Sequence, residues 1–280
     1  TTISDSLSQN AYLHIGLSYA QYGDKAKARM AFQTASKENF DPAITEEADY
    51  NYVLAVYEDA APFGESINAF EQFLKNYPNT KHRDDIYNHM ADIYMAEKDY
   101  KTAYESLKKI KIVNPKIKAA KENVLFQLGV AEFIAKNYKN AHNYFTQSIA
   151  EYTPNSYSAQ AYLWRGETNY RLGAYSDARK DLTTYLAQKQ KKTNDELQKT
   201  YYTLAYSYYE DEEFAAAIEW YQKFLTANQN HGNRMCCDAL SRTGDCYFYT
   251  RNYDNAGKYY RQAMAESPRY ADYAAFQYAS

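Results

Sequence analysis

The stretch from Gly244 to Pro268, GDCYFYTRNYDNAGKYYRQAMAESP, decides the fold. It opens on a small residue, Gly244, and continues with an aromatic at Tyr253, a second small residue at Ala256 and a large ring at Tyr260. Spacings of three, four and seven residues put side chains on one face of a helix. The first position recurs at Gly16, Leu54, Ala91, Gly129, Gly166, Ala205 and Gly244, small in six of the seven, at intervals of 38, 37, 38, 37, 39 and 39. Twelve places after each stands Ala28, Ser66, Ala103, Ala141, Ala178, Ala217 or Ala256. Four further on stands Phe32, Phe70, Leu107, Phe145, Leu182, Tyr221 or Tyr260. In six copies an aromatic lies three places before the second small column: Phe63, Tyr100, Tyr138, Tyr175, Phe214 and Tyr253. Each unit therefore reads as a helix, a short turn and a second antiparallel helix, with the two small columns where the backbones cross. One hairpin leaves apolar surface open, so stability requires stacked neighbours, and seven copies supply them.

Composition agrees. The 280 residues hold 33 tyrosines but only 9 Gly and 6 Pro, too few turn formers for a sandwich or barrel. A hydrophobic fraction of 45% is too high for a disordered chain. The mean hydropathy of −0.76 reflects tyrosine, which is aromatic yet polar. Thirty-two basic against 35 acidic residues leave a net charge of −3, which supplies no field for nucleic acid. No apolar run approaches the roughly 18 to 20 residues of a membrane span, so the chain is not expected to cross a membrane. Thr1 opens without a signal-peptide pattern. The three cysteines, Cys236, Cys237 and Cys246, form no disulfide framework and leave the compartment open.

Tyr12, Ile15, Gly16, Tyr19, Ala28 and Phe32 resemble the tetratricopeptide repeat (TPR) pattern, as do Gly244, Tyr247, Ala256, Tyr260, Ala263 and Pro268. The resemblance implies an all-α, right-handed α-solenoid of seven TPR helix hairpins plus a truncated eighth first helix, as a single domain over 1–280. The repeats fall at 9–45, 46–82, 83–120, 121–157, 158–196, 197–235 and 236–270. Residues 271–280 (ADYAAFQYAS) open an eighth, which makes a longer array the expectation. The family repeat is about 34 residues, so the extra residues are expected in longer helices or at joints. Asn76–Thr80 (NYPNT) and Tyr152–Ser156 (YTPNS) are such joints, where Pro and Asn stop a helix. The extended variety resembles envelope-associated bacterial repeat proteins. That likeness implies a periplasmic or cell-envelope home, with the cytoplasm as the alternative. Glu132, Arg165 and Asn169 stand where apolar or aromatic residues are expected, which puts the packing of the fourth and fifth repeats in question.

Phosphate-cradling, nucleophile-elbow and zincin motifs are all missing from the sequence, so neither catalysis nor a cofactor is expected. His231 with the three cysteines would offer four soft ligands, but the spacing fits no zinc knuckle. Cys237 and Cys246 would lie about 13 Å apart on one helix. Packing cysteines are the better reading, and His14, His82, His89 and His142 read as surface groups. Eight lysines between Lys98 and Lys121, and five acids without a base between Tyr201 and Glu219, read as solvated faces. The sharper alternative is a charge asymmetry that steers a partner.

The resemblance further implies that first helices line an inner surface that binds a protein or peptide. Its early repeats are mixed: Tyr52, Glu58, Asp59, Asn88 and Asp92. The later ones are aromatic, and the candidate surface comprises Phe126, Phe133, Trp164, Glu167, Tyr170, Arg171, Tyr202, Tyr206, Tyr209, Glu210, Asp245, Phe248 and Tyr249. Tyrosine and tryptophan give large contact area and a hydrogen-bonding tip at low entropy cost, which suits recognition. The same rings suit burial between repeats. Relatives that grip a terminal carboxylate use basic residues on successive first helices. Here those positions read Leu13 and Leu17, Asn51 and Ala55, Asn88 and Asp92, Phe126 and Val130. A neutral, apolar or basic partner is therefore expected rather than an acidic tail. Two alternatives stand beside this scaffold reading: a glycan- or cell-wall-binding module stacking sugars on Trp164, Tyr170 and Tyr206, and a purely structural spacer.

Overall fold

The computed structural model describes residues 5–58, 63–111, 115–151, 157–228 and 232–280, among which there is no strand. Seven helix pairs follow one another. They are α1 (Ser6–Tyr22) with α2 (Lys25–Glu38), α3 (Pro42–Glu58) with α4 (Phe63–Asn76), and α5 (Arg83–Ala96) with α6 (Tyr100–Lys108). Next come α7 (Pro115–Ile134) with α8 (Tyr138–Ala150), and α9 (Ser158–Arg171) with α10 (Tyr175–Ala187). The last pairs are α11 (Asn194–Glu210) with α12 (Phe214–Ala227), and α13 (Arg234–Tyr249) with α14 (Tyr253–Glu266). A 3₁₀ turn, Pro268–Tyr270, leads to α15 (Asp272–Ala279). The chain groups into two compact units, Thr1–Ala120 and Lys121–Ser280. Within each, helices touch their neighbours along the chain from α1 through α6 and from α8 through α15, α7 meets α8 through Phe126 and Phe145, and first helices also meet, α1 with α3 and α9 with α11. This is the contact pattern of stacked hairpins.

The first small column is closely enclosed. A Cβ added to Gly129 would stand 2.6 Å from the Phe145 ring, one on Gly166 2.7 Å from Leu182, and one on Gly244 2.5 Å from the Tyr260 ring. Gly16 meets Phe32 in the same way. Each glycine is thus a socket for the large residue sixteen places on, and every member of that large column, from Phe32 to Tyr260, is buried. The alanine column is buried beside it, with Ala28, Ala103, Ala141, Ala178 and Ala217 fully shielded. The side chain of Phe63 lies outside the described residues.

The six described hairpin turns share one construction. Seven residues after the first small column the chain enters the left-handed region, at Gly23, Lys98, Lys136, Gly173, Glu212 and Arg251. The left-handed residue donates its N–H three residues back and its successor donates five back, as in Lys136 to Phe133 (2.9 Å) and Asn137 to Glu132 (2.9 Å). These two bonds close the first helix. The successor then begins the second helix, and where it is Asp24, Asp99 or Asn252 its side chain accepts an N–H of the new first turn. The joint around Pro78 separates α4 from α5, whereas residues 152–156 lie outside the described residues.

Two expectations are corrected. The polar residues of the fifth repeat pack as a set: Arg165 donates to both carboxylate oxygens of buried Asp181 (2.8 and 2.7 Å), and Asn169 adds a third bond at 2.9 Å. Burial alone would lower the Arg165 pKa, yet Asp181 holds it raised. In the seventh hairpin the positions of Asn169 and Asp181 are taken by Tyr247 and Tyr259, whose rings stack at 5.4 Å. One pair of contacts is thus solved twice, once with charge and once with rings. In the fourth repeat Glu132 accepts from Asn140 at 3.3 Å. The second correction concerns His82 and His89. His82 is buried, stacked on Tyr50 at 3.6 Å and hydrogen-bonded to Glu47 at 3.0 Å. His89 is half-buried between Tyr57 and Phe70.

Candidate functional site

Within the 121–280 unit, the first helices and their turns border three recesses. One, of about 420 Å³, is lined by Phe133, Gln160, Leu163, Trp164, Glu167 and Arg171, together with Glu196, Lys199, Thr200 and Thr203 of α11. A second, of about 360 Å³, shares Glu167, Arg171, Lys199 and Thr203 and adds Tyr170, Tyr202, Tyr206 and Met235. The third, of about 460 Å³, lies at the turns and is lined by Tyr209, Glu210, Glu212, Phe214 and Tyr249. The first two are contiguous, because residues about 36 apart sit side by side on neighbouring first helices.

That register is written in hydrogen bonds. Gln160 donates to Glu196 (2.6 Å), Thr203 to Glu167 (2.8 Å) and Tyr202 to Asp238 (2.7 Å). Aromatic pairs repeat along the hairpin turns as well: Phe133 with Tyr138, Tyr170 with Tyr175, Tyr209 with Phe214 and Phe248 with Tyr253, at 5.4, 5.8, 6.0 and 5.6 Å. Each joins the last turn of a first helix to the start of its partner.

Ten of the thirteen candidates line a recess: Phe133, Trp164, Glu167, Tyr170, Arg171, Tyr202, Tyr206, Tyr209, Glu210 and Tyr249. Phe126 does not reach the surface; it is buried against Phe145 and Tyr157. Asp245 is buried too, at 3% exposure, and holds the wall together. It accepts from Arg242 (2.8 Å), Tyr260 (2.8 Å), Tyr273 (2.9 Å) and Tyr209 (3.4 Å). Phe248 is exposed beside Tyr249 and Tyr253. In the early repeats Asn88 is buried, and Asp59 lies outside the described residues.

The sequence reading missed Lys199, Asp238 and Arg242. Asp238 accepts from Tyr202 and Tyr206, and the Arg242 Nε donates to the Tyr206 hydroxyl at 3.3 Å. Burial, then the nearby Asp238 carboxylate, raises the Tyr202 and Tyr206 pKa values well above the ordinary range. Burial would lower that of Arg242, but the Tyr206 hydroxyl and the two carboxylates raise it instead. Tyr170 is pushed up to about 12, by burial and then by Glu210. The available signal was the spacing itself, since Asp238 and Arg242 stand 36 residues after Tyr202 and Tyr206.

The cysteines are free and buried along α13, and burial raises Cys236 to about 11 and Cys246 to about 12. His231 lies outside the described residues, among which no group of three or more His, Cys, Asp or Glu is arranged for a metal. No helix among the described residues is long and apolar enough to cross a membrane.

Comparison with curated protein sequences gives no match. Among solved structures, YrrB, described as a TPR protein with an unusual peptide-binding site, aligns at 14% identity and a TM-score of 0.52, over 76% of this chain and 98% of that one. MamA 41-end from Desulfovibrio magneticus RS-1 aligns at 17% identity and 0.45, over 65% of this chain and 94% of that one. A tetratricopeptide repeat protein from Parabacteroides merdae aligns at 14% and 0.44, over 93% and 94%. At 14% identity the likeness to YrrB speaks for the fold alone, and the narrower likeness to envelope-associated repeat proteins gains no support from it. Tetratricopeptide repeat models match residues 10–39, 84–116, 126–192 and 202–271. With the seven hairpins and their glycine sockets, these matches make the chain a member of the tetratricopeptide repeat family.

Proposed function

We propose that the 121–280 unit is a non-catalytic scaffold that holds a segment of another protein against α9, α11 and α13. The observation that carries this reading is the pair of contiguous recesses in which Phe133, Trp164, Tyr170, Tyr202 and Tyr206 border side chains with hydrogen-bonding tips. An extended or helical segment lying across them would bury Tyr202 and Tyr206, rings already held by hydrogen bonds to Asp238, so less entropy is lost on binding. The shifted tyrosines in the recesses move upward, the wrong direction for a base at neutral pH, which favours binding over chemistry. The peptide-binding site named for YrrB is in keeping with this use of the fold.

A sugar platform is less well served. Trp164 sets its edge against Phe133 at 5.1 Å and stacks near Phe145 at 6.4 Å, and Tyr206 is tied into the Asp238 network. Photocrosslinkers placed at Tyr170 in the second recess, and at exposed Thr183 on α10, test the reading in cells. Protein adducts from Tyr170 with none from Thr183 are expected. Equal labelling, or glycan binding abolished by Trp164→Ala, would overturn it.

A further inference from the structure

The third recess differs in composition from the other two. Three of its five lining residues are aromatic, Tyr209, Phe214 and Tyr249, and the remaining two are Glu210 and Glu212. The acidic run from Glu210 to Glu213 is divided by Arg179, which draws Asp211 (2.6 Å) and Glu213 (3.3 Å) to itself. Glu210 and Glu212 are exposed and form no ion pair among the described residues. In the first two recesses, by contrast, Glu167 is paired with Arg171 at 3.0 Å and Lys199 with Asp195 at 3.1 Å. Glu196 of the first recess takes hydrogen bonds from Gln160 and Thr193, whereas, among the described residues, the carboxylates of Glu210 and Glu212 lie unpaired beside three rings. Phe214 and Tyr249 stack at 5.0 Å with 18° between their planes, and Tyr209 meets Phe214 edge-on. Tyr249 remains 59% exposed.

An aromatic face attracts a cation through its quadrupole, and a carboxylate accepts the cation's N–H groups. Both act in the same direction here, and both repel an anion. We propose that this recess is a cation subsite that takes a lysine or arginine side chain of the bound segment, an inference that rests on the partner-binding reading above. The ammonium or guanidinium lies against the exposed Tyr249 ring, which Phe214 backs from its other side, while Glu210 and Glu212 receive its hydrogen bonds.

Nα-acetyl-arginine amide and Nα-acetyl-lysine amide, titrated into the full chain and followed by NMR, test this directly. Nα-acetyl-citrulline amide serves as the neutral isostere. The two cations are expected to shift resonances of Tyr209, Glu212, Phe214 and Tyr249, and citrulline is not. Glu210→Gln with Glu212→Gln, and separately Tyr249→Ala, are expected to weaken binding by about five-fold or more, with shifts elsewhere in the chain unchanged to show that the variants fold. No perturbation by the cations, equal binding of citrulline, or unchanged affinity in the double variant would overturn the subsite. The two readings fail separately. A partner that crosslinks at Tyr170 but is indifferent to the double variant removes the subsite alone. Cation binding at this recess without adducts at Tyr170 removes the partner-binding reading of the first two recesses and leaves the subsite standing.

Discussion

Gly244 has no room for a methyl group, because its added Cβ would stand 2.5 Å from the Tyr260 ring. Alanine normally favours a helix over glycine by about 1 kcal/mol. Gly244→Ala is nevertheless expected to destabilise the chain by about 1–3 kcal/mol through overpacking, whereas Gly257→Ala, whose nearest neighbour would be Tyr278 at 3.4 Å, should stabilise it slightly. Urea unfolding of the two variants decides the sign at each site. The large column holds a second contrast. The Tyr221 hydroxyl is buried without a partner, while that of Tyr260 donates to Asp245 at 2.8 Å. Tyr221→Phe should gain up to about 1 kcal/mol and Tyr260→Phe should lose about 1.5–3 kcal/mol, the worth of a hydrogen bond to a charged group. Equal effects in denaturant titrations would refute the network. The glycine column was legible in the sequence because small residues mark close approach. Its partner was not, because smallness does not say what approaches.

At the scale of helices, the fifth hairpin replaces an aromatic contact with charge. Asp181→Ala strands the Arg165 guanidinium and is expected to cost about 3–5 kcal/mol. The double variant Arg165→Met with Asp181→Leu should recover most of that loss, since it removes both charges together. Additive losses in a double-mutant cycle would show that the pair does not act as a unit. Arg165 and Asn169 were visible as departures from the repeat, but Asp181 lies beside the column that the repeat uses, so only the structure joins them. Helix existence and hairpin order followed from periodicity. The left-handed turn positions did not, because four of the six are Lys, Glu or Arg rather than glycine.

At the scale of the whole molecule, stability should depend on pH through the 1–120 unit. Burial lowers the His89 pKa, a fall partly opposed by Asp92, increased by Lys116 and opposed again by Asp85 and Glu58. Above about 6.5 the ring is neutral in both folded and unfolded chains and contributes no pH dependence. As pH drops below that value the unfolded chain takes up a proton that the buried ring resists, so stability falls until the lowered folded-state pKa is passed. His89→Phe should remove this component, seen as a smaller change in urea midpoint between pH 7.5 and 5.5. An unchanged pH dependence would place the titrating group elsewhere. The candidate surface was legible as an aromatic excess on later first helices. Which of those residues support it and which line it was not, since Phe126 and Asp245 share the helical face of exposed neighbours and differ only in what packs over them.

The central claim is that the recesses along α9, α11 and α13 bind a partner segment. Once a partner has been crosslinked from Tyr170, its affinity for the purified chain should fall at least about ten-fold with Trp164→Ala, consistent with the loss of a buried aromatic anchor, and remain unchanged with Thr183→Ala. Equal affinities for the wild-type chain and Trp164→Ala would contradict the claim.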